Sequence, residues 1–486
     1  MSNVLGHLEP KRVFENFEAM NQIPRASYHE EAVSNWLKEF GEKLGLETIQ
    51  DKVGNIIIRK PATEGYENCP TVILQGHMDM VPVKGKGSNH NFDTDPIEMK
   101  IVDDMIYANN TTLGADDGIA IAMSLAILED NTLKHPALEA VFTINEESGM
   151  DGAYALDTSL LKGKYLLNID SEEEGFFTIG CAGGKTPLLT LDKEYKEACS
   201  CKKAVKFSVT DLLGGHSGQE IQLQRANATK LVVRMLTQLS VDFDLADLTG
   251  GTMHNAIPNH AEAVILVEDV DAVKAELEAL YNKMRAEFAV SEPHMNLVFE
   301  DVSVEKVYTD EFKTKLLTLL TLLPHGVNSY TVNEDGSLDT SLPESSTNMA
   351  IVENVVDQIK VTFSIRSAKE SIKEEIAKRV ELLAASLGCK FEIIAGYPAW
   401  EVIPHSTIEK ICTTSWKKLT GNEPKIIAIH AGLECGLLLD KMEGVEAISI
   451  GPDMFDVHSE KEHLSIPSTK NCYEFVLDVL ESMNQY

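Results

Sequence analysis

Five short segments hold the side chains best suited to bind a metal or move a proton. His77 and Asp79 stand in QGHMDM, Asp116 in NTTLGADDGIA, Glu146 and Glu147 side by side in NEES, Asp170 in IDSEE and His458 in GPDMFDVHSE. Taken singly each is ordinary, since a His after an apolar run is commonly a surface residue and paired glutamates commonly sit in solvated loops. Their order carries the information. Two imidazoles and three carboxylates are the ligand mix expected of two zinc-like divalent ions, one carboxylate bridging ions about 3.5–4 Å apart.

Such donors need strands to bring them together, and the hydropathy pattern supplies them. Apolar runs at 55–59 (NIIIR), 71–74 (TVIL), 140–144 (AVFTI) and 165–169 (YLLNI) have the texture of strands buried on both faces. Helical stretches such as 118–129 lie between some of them, and 425–429 (KIIAI) and 445–450 (VEAISI) resume the same sheet. His77, the glutamate pair and Asp170 each follow one of these runs. In open α/β sheets ligands collect beyond the carboxyl ends of the strands, so three strands would deliver their polar residues to one crevice. The first 45 residues predict two helices, the second opened by a capping box of Ser27 and Glu30 ahead of Ala32, Val33, Trp36, Leu37 and Phe40.

Residues 185–397 have a different texture, alternating strand-like segments (205–210, 263–267, 360–365) with amphipathic ones (226–239, 273–288, 371–387). The expected fold is α/β: a mostly parallel sheet with flanking helices formed by 1–184 and 398–486, interrupted by an inserted α+β domain at 185–397. The insert reads as two similar halves, with Asn255 in HNAIPN loosely echoed by Asn348 in STNMAI.

Composition narrows the function. The 486 residues carry 76 acidic and 43 Lys and Arg side chains, a net charge of −33, which opposes nucleic-acid binding because phosphates need clustered cations. The N-terminal segment has charges where an export signal needs an apolar centre, and the run 119–128 is far short of a membrane span, so a cytoplasmic protein that binds no membrane is expected. Eight cysteines are too sparse for a disulfide scaffold, and Cys199 and Cys201 read as an ordinary pair of thiols. GCAGGKT misses the phosphate-loop spacing, because Ile179 stands where the first Gly belongs. Neither a G-x-S-x-G elbow nor an H-E-x-x-H helix occurs.

With these residues in view, the chain resembles the co-catalytic zinc metallopeptidases that include aminoacylases, carnosinases and peptidase T-like tripeptidases, and within them the bacterial aminoacyl-histidine (Xaa-His) dipeptidases. GHMDMVP, TTLGADDGIA, NEESGMDGA, GCAGG, GGHSG and HAGLECG carry the likeness over essentially the whole length. The resemblance implies that His77 and Asp170 bind one ion, Glu147 and His458 the other, and that Asp116 bridges. It makes Asp79 the residue that steadies His77, and Glu146 the general base. It makes the insert a lid in which His216 stabilises the oxyanion, Arg366 grips the substrate carboxylate and Asn255 assists, and it makes His430 and Glu434, beyond the insert, residues that line the substrate pocket. The implied cofactors are two divalent ions, Zn2+ first and Mn2+ or Co2+ as alternatives. The implied reaction is hydrolysis of small unblocked dipeptides by a monomer or homodimer. Within the same chemistry an aminoacylase or tripeptidase is the alternative; outside it, a non-catalytic metal-binding scaffold, which has no use for Glu146.

Overall fold

Residues 4–333 and 335–486 are described by a computed structural model, in which the apolar runs become the strands of one sheet. In spatial order these are Glu47–Gln50, Ile56–Lys60, Leu138–Thr143, Val72–His77, Tyr165–Asn168, Glu446–Ser449, Phe176–Cys181 and Lys425–Ile429. The centre is parallel: Val72–His77 lies between Leu138–Thr143 and Tyr165–Asn168, and Glu446–Ser449 continues in the same direction. The flanks are antiparallel. Both central strands Val72–His77 and Leu138–Thr143 are buried at every position, as expected of mainly apolar strands covered by layers on both faces, and they carry Gln75, His77 and Glu139 into the interior.

The helix Ala115–Glu129 is buried from Ala115 to Leu128, which explains why it is apolar all round instead of on one stripe. It packs in one core with Phe14 and Phe17 of the helix Lys11–Met20, and with Phe177, Trp416 and Phe475. The second expected helix forms as Glu31–Lys43, without a side-chain cap. The capping-box reading is therefore overturned. Ser27 Oγ donates instead to Asp79 Oδ2 at 2.8 Å, and Glu30 Oε1 accepts from the N–H of Tyr28 and Asn145 at 3.1 and 3.0 Å. A buried carboxylate and a buried loop amide need partners more than a helix end that water can reach.

The chain divides into two units: Met1–Gly180 with Val402–Ala428 and Leu433–Tyr486, and Cys181–Glu401 with Ile429–Gly432. The second unit has its own core, which includes Phe207, Ile265, Leu316, Met349 and Phe363. Its sheet runs Asn296–Asp301, Lys203–Thr210, Ala261–Val267, Asp244–Gly250, then Leu338–Val355, Gln358–Ser367, Gly183–Asp192 and Lys390–Tyr397, with Gly326–Val332 beside Leu338–Val355. Numbered along the chain, the first four stand in the order fourth, first, third, second, and the last four in its mirror image. The halves meet where Asp244–Gly250 lies beside Leu338–Val355, in register at Gly250 and Val352. The internal echo is thus present in strand order, but not at the two asparagines. Asn348 lies inside the second strand of its half, whereas Asn255 follows the corresponding strand, and Asn348 Nδ2 donates to Ala256 O at 2.8 Å.

Cys199 and Cys201 are not a pair of free thiols. They form a disulfide across a tight turn, with Cα atoms 5.2 Å apart.

Candidate metal centre

Five connections of the first unit place the donors. His77 ends the strand Val72–His77, Glu146 and Glu147 open the turn after Leu138–Thr143, and Asp170 lies just beyond Tyr165–Asn168. Asp116 sits where the chain is still non-helical ahead of Gly118. Asn145 and His458 hold left-handed φ values of 51° and 61°, a conformation that costs a non-glycine residue of order 1–3 kcal/mol and persists only where its surroundings impose it.

The donor atoms fall into two groups that share Asp116. His77 Nε2 is 3.0 Å from Asp116 Oδ1 and 3.5 Å from Asp170 Oδ1. His458 Nε2 is 3.1 Å from Asp116 Oδ2, 3.0 Å from Glu147 Oε1 and 2.9 Å from Glu147 Oε2. Adjacent ligands of a tetrahedral ion bound at 2.0–2.2 Å lie about 3.3–3.6 Å apart, so the donors of both groups stand within a few tenths of an ångström of an ion site's spacing. A third set, His77 with Glu146 and Glu147, also comes within ligand reach.

The electrostatics also favour cations. Burial, with further repulsion from Asp116 and Glu147 outweighing the attraction of His77, pushes Asp170 up to about 6. Burial also raises Glu146 well above the usual carboxylate range, with Asp170, Glu434 and Glu147 adding to it. Hydrogen bonds to Asp116 and Glu147 lift His458 to about 11. Burial opposes a charge on His77, yet Asp170, Asp116 and Asp79 carry its pKa well above the ordinary value. The imidazoles here are held by carboxylates in the way a metal would be, and the donor chemistry fits two hard or borderline divalent ions.

Asp79 is fully buried and serves four neighbours. Its Oδ1 lies 3.3 Å from His77 Nδ1 and accepts the Glu146 N–H at 3.0 Å, while Oδ2 accepts the Glu147 N–H at 3.4 Å and the Ser27 hydroxyl. One carboxylate therefore orients the His77 imidazole and the backbone of both glutamates.

His216, Asn255, Arg366 and His430 belong to the second unit. Three of them converge on Gly218, where an added Cβ would stand 2.8 Å from His430 O, 3.0 Å from His216 Cε1 and 3.1 Å from Arg366 Cζ. His216 Nδ1 accepts from the N–H of Gly218 and Gln219, both at 3.2 Å, which leaves the proton of the neutral ring on Nε2. Burial and the nearby Arg366 lower the His216 pKa, so the ring is a neutral N–H donor at neutral pH. Arg366 Nη1 donates to Tyr397 OH at 2.6 Å, and His430 Nε2 pairs with Ser346 Oγ at 2.7 Å. Asn255 enters through its backbone, its carbonyl accepting from Ser217 N.

Several supporting residues had no usable signal in the sequence. Arg25, Glu462 and Gln75 are buried polar residues that no motif singled out. Glu434, expected to line the substrate pocket, is fully buried in the first unit and accepts from Gln75 Nε2 at 2.6 Å and Thr143 Oγ1 at 2.7 Å. Burial raises its pKa to about 7.

Comparison with known proteins agrees with this geometry. Residues 73–482 match the model of peptidase family M20/M25/M40. The cytosol non-specific dipeptidase of Escherichia coli (strain K12) is 35% identical over 486 residues, covering 99% of each chain. The crystal structure of aminoacylhistidine dipeptidase from Vibrio alginolyticus matches with a TM-score of 0.90 and 31% identity, over 99% of this chain and 98% of that one. The aminopeptidase PepT structure from Bacillus cereus ATCC 10987 shares the fold alone, at 15% identity and a TM-score of 0.52 over 98% of this chain and all of the other.

Proposed function

The chain belongs to peptidase family M20/M25/M40 and is a metal-dependent peptide hydrolase, and we propose that it cleaves unblocked dipeptides, Xaa-His and carnosine-like ones among them, using two divalent ions. Full-length relatives that are both named dipeptidases support the substrate class. The observation that carries the two-ion reading is the split carboxylate of Asp116, with Oδ1 3.0 Å from His77 and Oδ2 3.1 Å from His458. His77, Asp116 and Asp170 would hold one ion, Asp116, Glu147 and His458 the other. Zinc suits this donor set first, with manganese or cobalt as alternatives.

Bound there, the ions would supply Lewis acidity, acidifying a water and polarising the scissile carbonyl. Glu146 takes the proton of the attacking water and, once protonated, delivers it to the leaving amine. Asp79 fixes the Glu146 backbone and the His77 ring, so base and ligand keep one relative position. The neutral Nε2–H of His216, from this chain or a second copy, is the donor for the developing oxyanion. Arg366, whose guanidinium is steadied by Tyr397, pairs with the free carboxylate that marks the end of a dipeptide, and Asn255 and His430 shape its surroundings. A cytoplasmic location accords with the chemistry, and among the described residues no helix is long and apolar enough to cross a membrane.

Glu146→Gln separates catalysis from binding. Loss of general-base chemistry should lower kcat on β-Ala-His and Ala-Ala by about 10²–10⁴-fold while two ions per chain remain bound. Undiminished turnover in this variant would remove Glu146 from the assigned role. Turnover of tripeptides or N-acyl amino acids, with none of dipeptides, would overturn the substrate class.

A further inference from the structure

The segment that carries His458 also carries Glu462, and the two residues meet the same loop, His458 at the Asp116 side chain and Glu462 at the backbone. Glu462 is 3% exposed, and its carboxylate accepts four successive backbone N–H groups: Leu113 at 2.7 Å and Gly114 at 3.1 Å on Oε2, Ala115 at 2.8 Å and Asp116 at 3.5 Å on Oε1. That loop ends in the shared ligand Asp116. The same loop is also held by Arg25, 1% exposed, which donates to Gly114 O and reaches Met78 O and Asp79 O at 3.1 Å and Asn21 Oδ1 at 3.0 Å.

Each clamp therefore relates Asp116 to a different histidine. Arg25 ties the loop of Asp116 to residues 78 and 79, which directly follow His77. Glu462 ties the same loop to the stretch that holds His458. A carboxylate receiving four N–H groups cannot shift without giving up several of them, and charge-assisted bonds of this kind are about twice as strong as neutral ones. Solvent cannot replace them at a buried position.

We propose that Glu462 is a positioning residue that sets the spacing of Asp116 and His458, and so specifically maintains the ion pocket formed by Asp116, Glu147 and His458, while Arg25 maintains the pocket of His77 and Asp170. The proposal rests on the two-ion reading and adds an asymmetry to it. Loss of Glu462 should release one ion and spare the other.

The test is titration of the metal-free full-length chain with Co2+, followed by visible absorption and calorimetry, for the unaltered protein and for Glu462→Gln and Glu462→Ala. Ligand-supporting partners commonly govern metal affinity by 10- to 100-fold. For Glu462→Gln, the first equivalent should bind within about threefold of the unaltered affinity, and the second about 10- to 100-fold more weakly, with a larger loss for Ala. Equal affinities for both equivalents, accompanied by the same drop in melting temperature with and without Co2+, would make Glu462 merely structural and overturn the proposal. An unaltered chain that binds a single equivalent would overturn the two-ion reading and this inference together.

Hydrogen exchange on the unaltered chain gives a readout that needs no variant to fold. The amides of Leu113, Gly114, Ala115 and Asp116 should be protected in the metal-free protein as in the loaded one. Protection that arises only on loading would mean that the ions order the loop, and the clamp would have no positioning role.

Discussion

Asp79 shows how much a single side chain can decide at the metal centre. Its carboxylate meets His77, Ser27 and the amides of Glu146 and Glu147, and it remains ionised: burial alone would raise its pKa, but the hydrogen bond and charge of His77, the Ser27 hydroxyl and the Glu146 amide lower it. Asp79→Asn keeps the shape but replaces an acceptor oxygen by a donor that faces N–H groups. The expected result is a 10- to 100-fold loss of metal affinity, measured by competition with a chromogenic chelator, together with a fall in kcat. His77, Asp79, Asp116, the glutamate pair, Asp170 and His458 were legible because imidazole and carboxylate recur at strand ends in a chemically meaningful order. Ser27 and Glu30 were misread because a capping box is a local pattern, and these side chains are used by residues 50 and more positions away. Arg25 and Glu462 were invisible for the same reason. A chain with 76 acidic residues gives no hint of which one turns inward.

At the scale of elements, the approach of the buried helix to the sheet is set by small residues. Gly114 has φ 69°, and a Cβ there would stand 2.4 Å from Arg25 Nη2 and 2.9 Å from Met80 Sδ. Arg25 cannot swing away, since its guanidinium is held by four acceptors. Gly114→Ala therefore combines a left-handed backbone penalty with overpacking, and is expected to cost about 2–4 kcal/mol. Urea denaturation of the metal-free protein checks this, with the midpoint falling at unchanged slope. The central strands were readable because burial on both faces writes them as continuous apolar runs. Leu338–Val355 was not, because it opens with Asp, Thr, Ser, Pro343 and Glu before its apolar stretch, the composition of a loop. It is a strand through its pairing with Gln358–Ser367 and Gly326–Val332, a non-local cause that no window of sequence contains.

At the scale of the molecule, the two units are folded around separate cores, and all five proposed ligands lie in the first. That unit is assembled from chain segments on both sides of the insert, so His458 reaches Asp116 across 342 positions. The long segment Cys181–Glu401 begins and ends side by side, where Cys181 and Trp400 exchange backbone hydrogen bonds at 3.0 Å. A long interruption joined at neighbouring points need not disturb the sheet it interrupts. Ions that bind only folded first unit stabilise that unit by mass action, by about 2.7 kcal/mol per site at a hundredfold excess over Kd. Scanning calorimetry of the full chain should accordingly resolve two transitions. Zn2+ should raise one of them and EDTA lower it again, while the other stays within about 1 °C, since a unit without ligands gains nothing from the ion. Assignment follows from the variants: Asp116→Asn should abolish the shift, and Arg366→Ala should leave it intact. A single transition that moves as a whole with Zn2+ would show that the units unfold together, and the insert would then belong to the cooperative structure that holds the metal donors in place.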